Sequence, residues 1–230
     1  MTPGALRSAL PLLAVAVGAA AGLNWLAVAR GWRRSEYVTK PAVMLALLAW
    51  LLAHGGPWPG PVVLFALGLV CSLAGDVALM LPRNLFLAGL GAFLLAHLAY
   101  IASFTSGGLP PLVPAAVMAV PLAGVTLWLV TRISQALAAH GAHGLRGPVA
   151  AYAVVLGLMV LAALATLARP AWDLGAATLV SAGAVLFMLS DAVLAWSRFV
   201  APVRRGPMLI IVTYHVGQML LTAGIARQYL

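Results

Sequence analysis

Two aspartates stand where aspartates are costly. Asp76 lies in the run Leu73-Ala-Gly-Asp-Val-Ala-Leu79 and Asp191 in Phe187-Met-Leu-Ser-Asp-Ala-Val-Leu194, each within a long apolar stretch. A carboxylate inside a membrane helix costs several kcal/mol unless it is paired, hydrated or protonated, so an intramembrane acid marks a functional site by default. The two are 115 residues apart in a chain of 230. The other two acids, Glu36 and Asp173, fall in expected loops. Two carboxyls at one depth suit general acid–base catalysis, with one protonated to donate and the other ionised. Asp76 and Asp191 are therefore the candidate catalytic pair, and the residues alone do not say which is the acid.

Around them the chain places few other polar groups in apolar surroundings. Asn24, Lys40, His97, Tyr100, Tyr214, His215 and Gln218 are the candidate substrate-binding and orienting residues. At about 1.5 Å per residue most of them share a layer roughly 8–15 Å inside one membrane boundary, with His97 slightly deeper. Each also has a structural use. The aspartates could accept hydrogen bonds that fix helix packing, Tyr214, Gln218 and Asn24 could bond helix to helix, and Lys40 could snorkel or pair a charge. Tyr100 is three residues from His97 and shares its helix face. A Gly-x-Ser-x-Gly elbow and a His-Glu-x-x-His zinc motif are both absent from the sequence. The His and Asp spacings name no metal site, and the reading includes no metal and no cofactor.

The elements that must hold these groups follow from composition. Apolar residues make up 64% of the chain, charged residues 7%, and the mean hydropathy is +1.07. A soluble domain carries about 45–50% apolar and about 25% charged residues. The fold class is all-α, a single integral membrane domain over residues 1–230. A span needs about 20 apolar residues. Eight are expected, at 8–29, 38–53, 61–81, 85–104, 111–131, 148–168, 174–196 and 208–226. Proline- and glycine-rich breaks separate them, because backbone groups cannot be left unpaired in lipid. The first run is longer than a signal-peptide core and is followed by Arg30, Arg33 and Arg34, so it reads as a transmembrane helix. Trp25, Trp32, Trp58, Trp172 and Trp196 lie near expected helix ends and fit interfacial belts.

The net charge of +9 does not indicate nucleic acid, because the basic residues lie in short loops rather than a compact basic domain. Instead they set topology. Ten Lys and Arg residues fall on the side of the 1–2, 3–4, 5–6 and 7–8 connections, and only Arg7, Arg169 and Arg227 on the other. The positive-inside rule then puts both termini away from the cytoplasm. Cys71 is the only cysteine, so no disulfide forms within one chain.

Aligning Asp76 with Asp191 matches Arg83 to Arg198. Allowing three extra residues in the second loop then matches His97 to His215 and Tyr100 to Gln218. The expectation is two parallel four-helix repeats, roughly 1–110 and 111–230, each carrying one acid.

In the order and spacing of its motifs the chain resembles the YhhN-like lysoplasmalogenase family of small eight-helix membrane proteins. The carrying pieces are Lys40-Pro41, Gly75-Asp76, Phe86-x-x-Gly89-x-x-x-Phe93-x-x-x-His97-x-x-Tyr100, Ser190-Asp191 and Tyr214-His-Val-Gly-Gln218. The resemblance covers nearly the whole chain. It departs at His215, where the family often carries Tyr. It implies hydrolysis of the vinyl ether bond of a lysoplasmalogen, a lysophospholipid taken from the membrane, to a fatty aldehyde and a glycerophospho-headgroup. Vinyl ethers hydrolyse through carbon protonation and an oxocarbenium ion, which parallels two-carboxylate glycoside hydrolysis. Lys40, with Arg83 or Arg198, would hold the phosphate. A bacterial plasma membrane is the expected location. The rival from first principles is a proton-coupled small transporter or lipid scramblase, which leaves its substrate unchanged; a purely structural membrane subunit would not explain the paired acids. Headgroup preference, chain-length preference and oligomeric state are not legible.

Overall fold

The computed structural model describes residues 8–55, 58–81, 85–109 and 111–230. Eight long helices account for most of them: α1 (Leu10–Arg30), α2 (Arg33–Leu52), α3 (Gly60–Met80), α4 (Phe86–Thr105), α5 (Leu112–Ala139), α6 (Arg146–Ala165), α7 (Leu174–Phe199) and α8 (Gly206–Tyr229). Short 3-10 turns, His143–Leu145 and Thr166–Ala168, flank α6. All eight are long and apolar enough to cross a membrane. The chain is an integral membrane helix bundle, as its composition requires.

Helix ends follow local chemistry. Gly31 closes α1 in the left-handed region at φ 67°, a conformation that costs a glycine nothing. Proline opens α3 and α8 within their first two positions, where its missing N–H is no loss. Asp173 caps α7, its carboxylate accepting from the Ala176 N–H.

Two helices run at least five residues past their expected ends. α2 begins at Arg33 rather than 38, so Glu36 lies in the helix and not in a loop, and Lys40-Pro41 sits two turns inside it. α5 continues to Ala139, eight residues beyond the expected 131. Hydropathy marks where a helix leaves the apolar layer; the backbone hydrogen bonding carries on into the polar residues beyond.

Helices pack as consecutive hairpins. The most extensive pairing is α7 with α8, followed by α3 with α4, α1 with α2, and α5 with α6. α4 lies on α6, and α8 also touches α1, α2 and α3, which puts it at the centre of the bundle. Small residues let backbones approach: a Cβ on Gly183 of α7 would stand 2.7 Å from the Gly217 carbonyl oxygen of α8. The core is filled by Phe65, Tyr100, Phe104, Phe187, Met159 and Leu221, all fully buried. Trp172 is buried beside Phe104 and Tyr229. α5 is the outlying helix, with only Ile133 and Leu137 buried.

Candidate active site

The two aspartates lie toward the end of the bundle that carries the α1–α2, α3–α4, α5–α6 and α7–α8 connections, the basic end. Asp76 is four residues from the end of α3. Asp191 is eight from the end of α7, which runs three residues past its expected limit. They head separate clusters.

Asp76 is 1% exposed. Lys40 Nζ of α2 lies 2.8 Å from its Oδ1, and the Tyr214 hydroxyl of α8 donates to its Oδ2 at 2.7 Å. The Lys40 ammonium also lies 5.5 Å from the centre of the Tyr214 ring. A buried carboxylate with a cation on one oxygen and a donor on the other has its charge matched.

Asp191 is more open, 15% exposed. The Tyr152 hydroxyl of α6 donates to its Oδ2, and His97 Nε2 of α4 stands 3.9 Å from the same oxygen and 3.0 Å from the Tyr152 oxygen. A phenol has one proton. Since that proton goes to Asp191, the Tyr152 oxygen accepts from His97, which assigns His97 the Nε2–H tautomer. His97 Nδ1 is buried without a hydrogen-bond partner. Tyr152 occupies Oδ2 and leaves Oδ1 of Asp191 to carry or receive a proton.

Phe93, Phe187 and Tyr214 form a mutually edge-on ring trio with centroids 5.3–6.0 Å apart, and His97 packs on Phe187 at 4.9 Å. This trio links the two clusters. No hydrogen bond joins the two carboxylates. Their partner helices are related in a regular way: Asp76 on α3 is met from α2 and α8, and Asp191 on α7 from α6 and α4.

Tyr100 and Gln218, matched by the internal alignment, touch each other: the Tyr100 hydroxyl donates to Gln218 Oε1 at 2.9 Å and lies 3.3 Å from Ser72 Oγ. They form a third polar group and do not contact either aspartate. His215 is fully buried, and its Nδ1 accepts from the Trp25 indole at 3.2 Å. Trp25 is thus a hydrogen-bond donor within the bundle. Asn24 donates to Thr39 Oγ1 at 2.8 Å, tying α1 to α2.

Space is found at Asp191. Two small cavities, each of about 50 Å³, meet at Asp191 and Tyr152. One opens toward Arg198 and Phe86 at the basic end, the other toward Thr126 of α5. Each has room for a few waters and polar groups to hold them. The Arg198 guanidinium lies 4.3 Å from the centre of the Phe86 ring, at the mouth of the first. Among the described residues no three His, Cys, Asp or Glu side chains converge as a metal site would require.

Comparison with known proteins gives the family. The sequence model of the YhhN family matches residues 35–225. The chain belongs to the YhhN family. The human lysoplasmalogenase TMEM86B is 35% identical over 188 residues, covering 81% of this chain and 73% of the relative. The mouse TMEM86B is 32% identical over 210 residues, 89% of this chain and 81% of the relative. A Mycobacterium bovis lysoplasmalogenase is 32% identical over 169 residues, 68% and 58% respectively. No solved structure matches.

Within this YhhN-family chain, the site differs from the sequence expectation in what it groups. Lys40 is committed to Asp76 rather than standing free for a phosphate, whereas Arg198 borders the open cavity. Arg83 lies outside the described residues. Tyr152, the residue that joins His97 to Asp191, escaped the sequence reading. Its one signal was its position, 39 residues before Asp191, close to the 36 that separate Lys40 from Asp76.

Proposed function

We propose that this chain is a lysoplasmalogenase: it hydrolyses the vinyl ether bond of lysoplasmalogens, releasing a fatty aldehyde and a glycerophospho-headgroup. The observation that carries the reading is Asp191, an intramembrane carboxyl held by Tyr152 and His97 and facing water-sized cavities inside an apolar bundle. Relatives that carry the lysoplasmalogenase name at 32–35% identity support the same conclusion.

Asp191 delivers its Oδ1 proton to the vinyl carbon remote from oxygen. The C=C pair forms the new C–H bond, leaving an oxocarbenium ion. Water from the cavity adds to the cationic carbon and gives its proton to the Asp191 carboxylate. The hemiacetal then collapses: the carbon–oxygen bond to glycerol breaks, the proton of the hemiacetal hydroxyl passes to the glycerol oxygen as the carbonyl forms, and the aldehyde departs. Tyr152 and His97 hold the carboxyl in place through the cycle. The same residue thus serves first as acid and then as base, as in two-carboxylate glycoside hydrolysis. Asp76, ionised and sealed by Lys40 and Tyr214, fixes the Tyr214 ring against Phe187, on which His97 rests. The Arg198 guanidinium is the phosphate contact.

We place the basic end at the cytoplasmic face of a bacterial plasma membrane, with both termini on the other side, on the distribution of Lys and Arg. The equivalent helix pairings of the two halves, and the contact between the aligned Tyr100 and Gln218, favour two parallel repeats related by an axis passing near those side chains.

The test is aldehyde release from lysoplasmenylethanolamine by the purified protein. Asp191→Asn is expected to lower the rate about 10²–10⁴-fold. No aldehyde from folded wild type, or full activity in folded Asp191→Asn, defeats the proposal.

A further inference from the structure

We propose that the groove between α5 and α6 is the binding site for the alkenyl chain of the substrate, and that its depth measures chain length. The inference rests on the hydrolase reading above.

The groove holds a cavity of about 320 Å³, lined on α5 by Ala119, Leu122, Ala123 and Thr126 and on α6 by Gly157 and Leu158. Its wall is apolar apart from the Thr126 hydroxyl. Thr126 also lines the small cavity that ends at Asp191 and Tyr152. One residue therefore stands at the junction of an apolar groove and the carboxyl that does the chemistry. Thr126 Oγ1 is buried and has no hydrogen-bond partner, although most buried hydroxyls are paired. Gly157 is what lets α6 come so near: a Cβ there would stand 3.0 Å from Thr126 Oγ1.

Direction agrees with a lysolipid. From Arg198 to Asp191 is seven residues of α7, about 10 Å along the helix. From Thr126 to Ala119 is seven residues of α5, about 10 Å further from the basic end. The path runs from a guanidinium, past a carboxyl with water-sized space, into an apolar groove that leads away from the basic end. A lysoplasmalogen presents phosphate, vinyl ether and hydrocarbon in the same order. The Thr126 hydroxyl sits where the polar linkage gives way to the chain, and it positions the attacking water. An ordinary membrane lipid could fill a lipid-facing groove equally well, but it would not couple groove shape to turnover.

The experiment uses full-length protein in lipid nanodiscs and two lysoplasmenylethanolamines, one with a hexadec-1-enyl and one with an oct-1-enyl chain. Ala119 lines the groove about 10 Å past Thr126, so Ala119→Phe shortens it beyond the reach of an eight-carbon chain. It is expected to raise KM for the long chain roughly tenfold, as the loss of about two buried methylenes would. The short chain should be unaffected. Leu95→Phe, on the lipid-facing side of α4, should change neither. Thr126→Val should lower kcat on both chains with KM unchanged. If Ala119→Phe affects both substrates equally, or neither, the groove does not hold the chain. If wild type releases aldehyde from neither substrate, the hydrolase reading itself falls, and the occupant of the groove with it.

Discussion

The Lys40–Asp76 pair offers the sharpest test of how the bundle is held together and of which carboxylate does the chemistry. Lys40→Met removes the cation 2.8 Å from a carboxylate that is 1% exposed. Breaking a buried ion pair from one side costs about 3–5 kcal/mol, because the remaining charge is left uncompensated. Lys40 is itself 19% exposed, so water partly screens the pair, and Tyr214 keeps its hydrogen bond to Oδ2. Both factors put the expected loss near the lower limit, about 3 kcal/mol. Adding Asp76→Asn removes the orphaned charge and keeps an acceptor for Tyr214. The double variant should return to within about 1 kcal/mol of wild type, about 2 kcal/mol more stable than Lys40→Met alone. The assay is reversible unfolding in mixed micelles across the four-member cycle, with aldehyde release measured alongside. A single variant as stable as wild type, or a double no more stable than the single, refutes the assignment of Asp76 as an ionised, Lys40-compensated group. Activity distinguishes the roles. A stable double variant that still releases aldehyde confines the proton transfer to Asp191, whereas a stable but inactive one makes Asp76 a direct participant.

Other perturbations follow from single contacts. Tyr152→Phe keeps the ring and deletes the hydroxyl bound to Asp191 and His97; a charge-assisted bond of about 1.5–3 kcal/mol corresponds to a roughly 10–100-fold lower kcat, and unchanged kcat would remove Tyr152 from the site. Gly183→Ala drives a methyl to 2.7 Å from the Gly217 carbonyl, so the α7–α8 pair must separate; a loss of about 1–3 kcal/mol in micelle unfolding is expected, and a neutral outcome would mean the helices part freely. Outside the membrane, Arg227 donates to Asp173 at 2.6 Å and, with the Ala176 N–H, holds its carboxyl below the usual value of 3.8. A folded pKa below the unfolded one gives stability that is present above about pH 4 and is lost as pH falls through the folded value. The thermal midpoint of wild type should therefore drop more steeply below pH 4 than that of Asp173→Asn, and parallel curves would exclude the linkage.

Much of this protein was legible before any coordinates. Eight spans, their breaks and the two intramembrane acids all follow from local properties. A segment either can or cannot hide its backbone and side chains in lipid, and that depends on its own twenty or so residues. The helix limits were less legible at α2 and α5, because hydropathy reports where the bilayer ends rather than where hydrogen bonding ends. That is why Glu36, expected in a loop, sits in a helix.

Partnership was not legible. Asp76 and Asp191 look alike in sequence, yet one is sealed by Lys40 and Tyr214 and the other opens to cavities beside Tyr152. His97 and Tyr100 share a helix face three residues apart, yet they serve different clusters, one with Asp191 and the other with Gln218. Tyr152 looks like any aromatic in an apolar helix until α4 and α7 are brought to either side of it. The sequence by itself determined the kind of protein, its spans and the acids that had to matter, since burial cost is a property of each segment. Only the tertiary structure decided which acid meets a cation and which meets water, because that depends on side chains up to 138 residues apart reaching the same few ångströms.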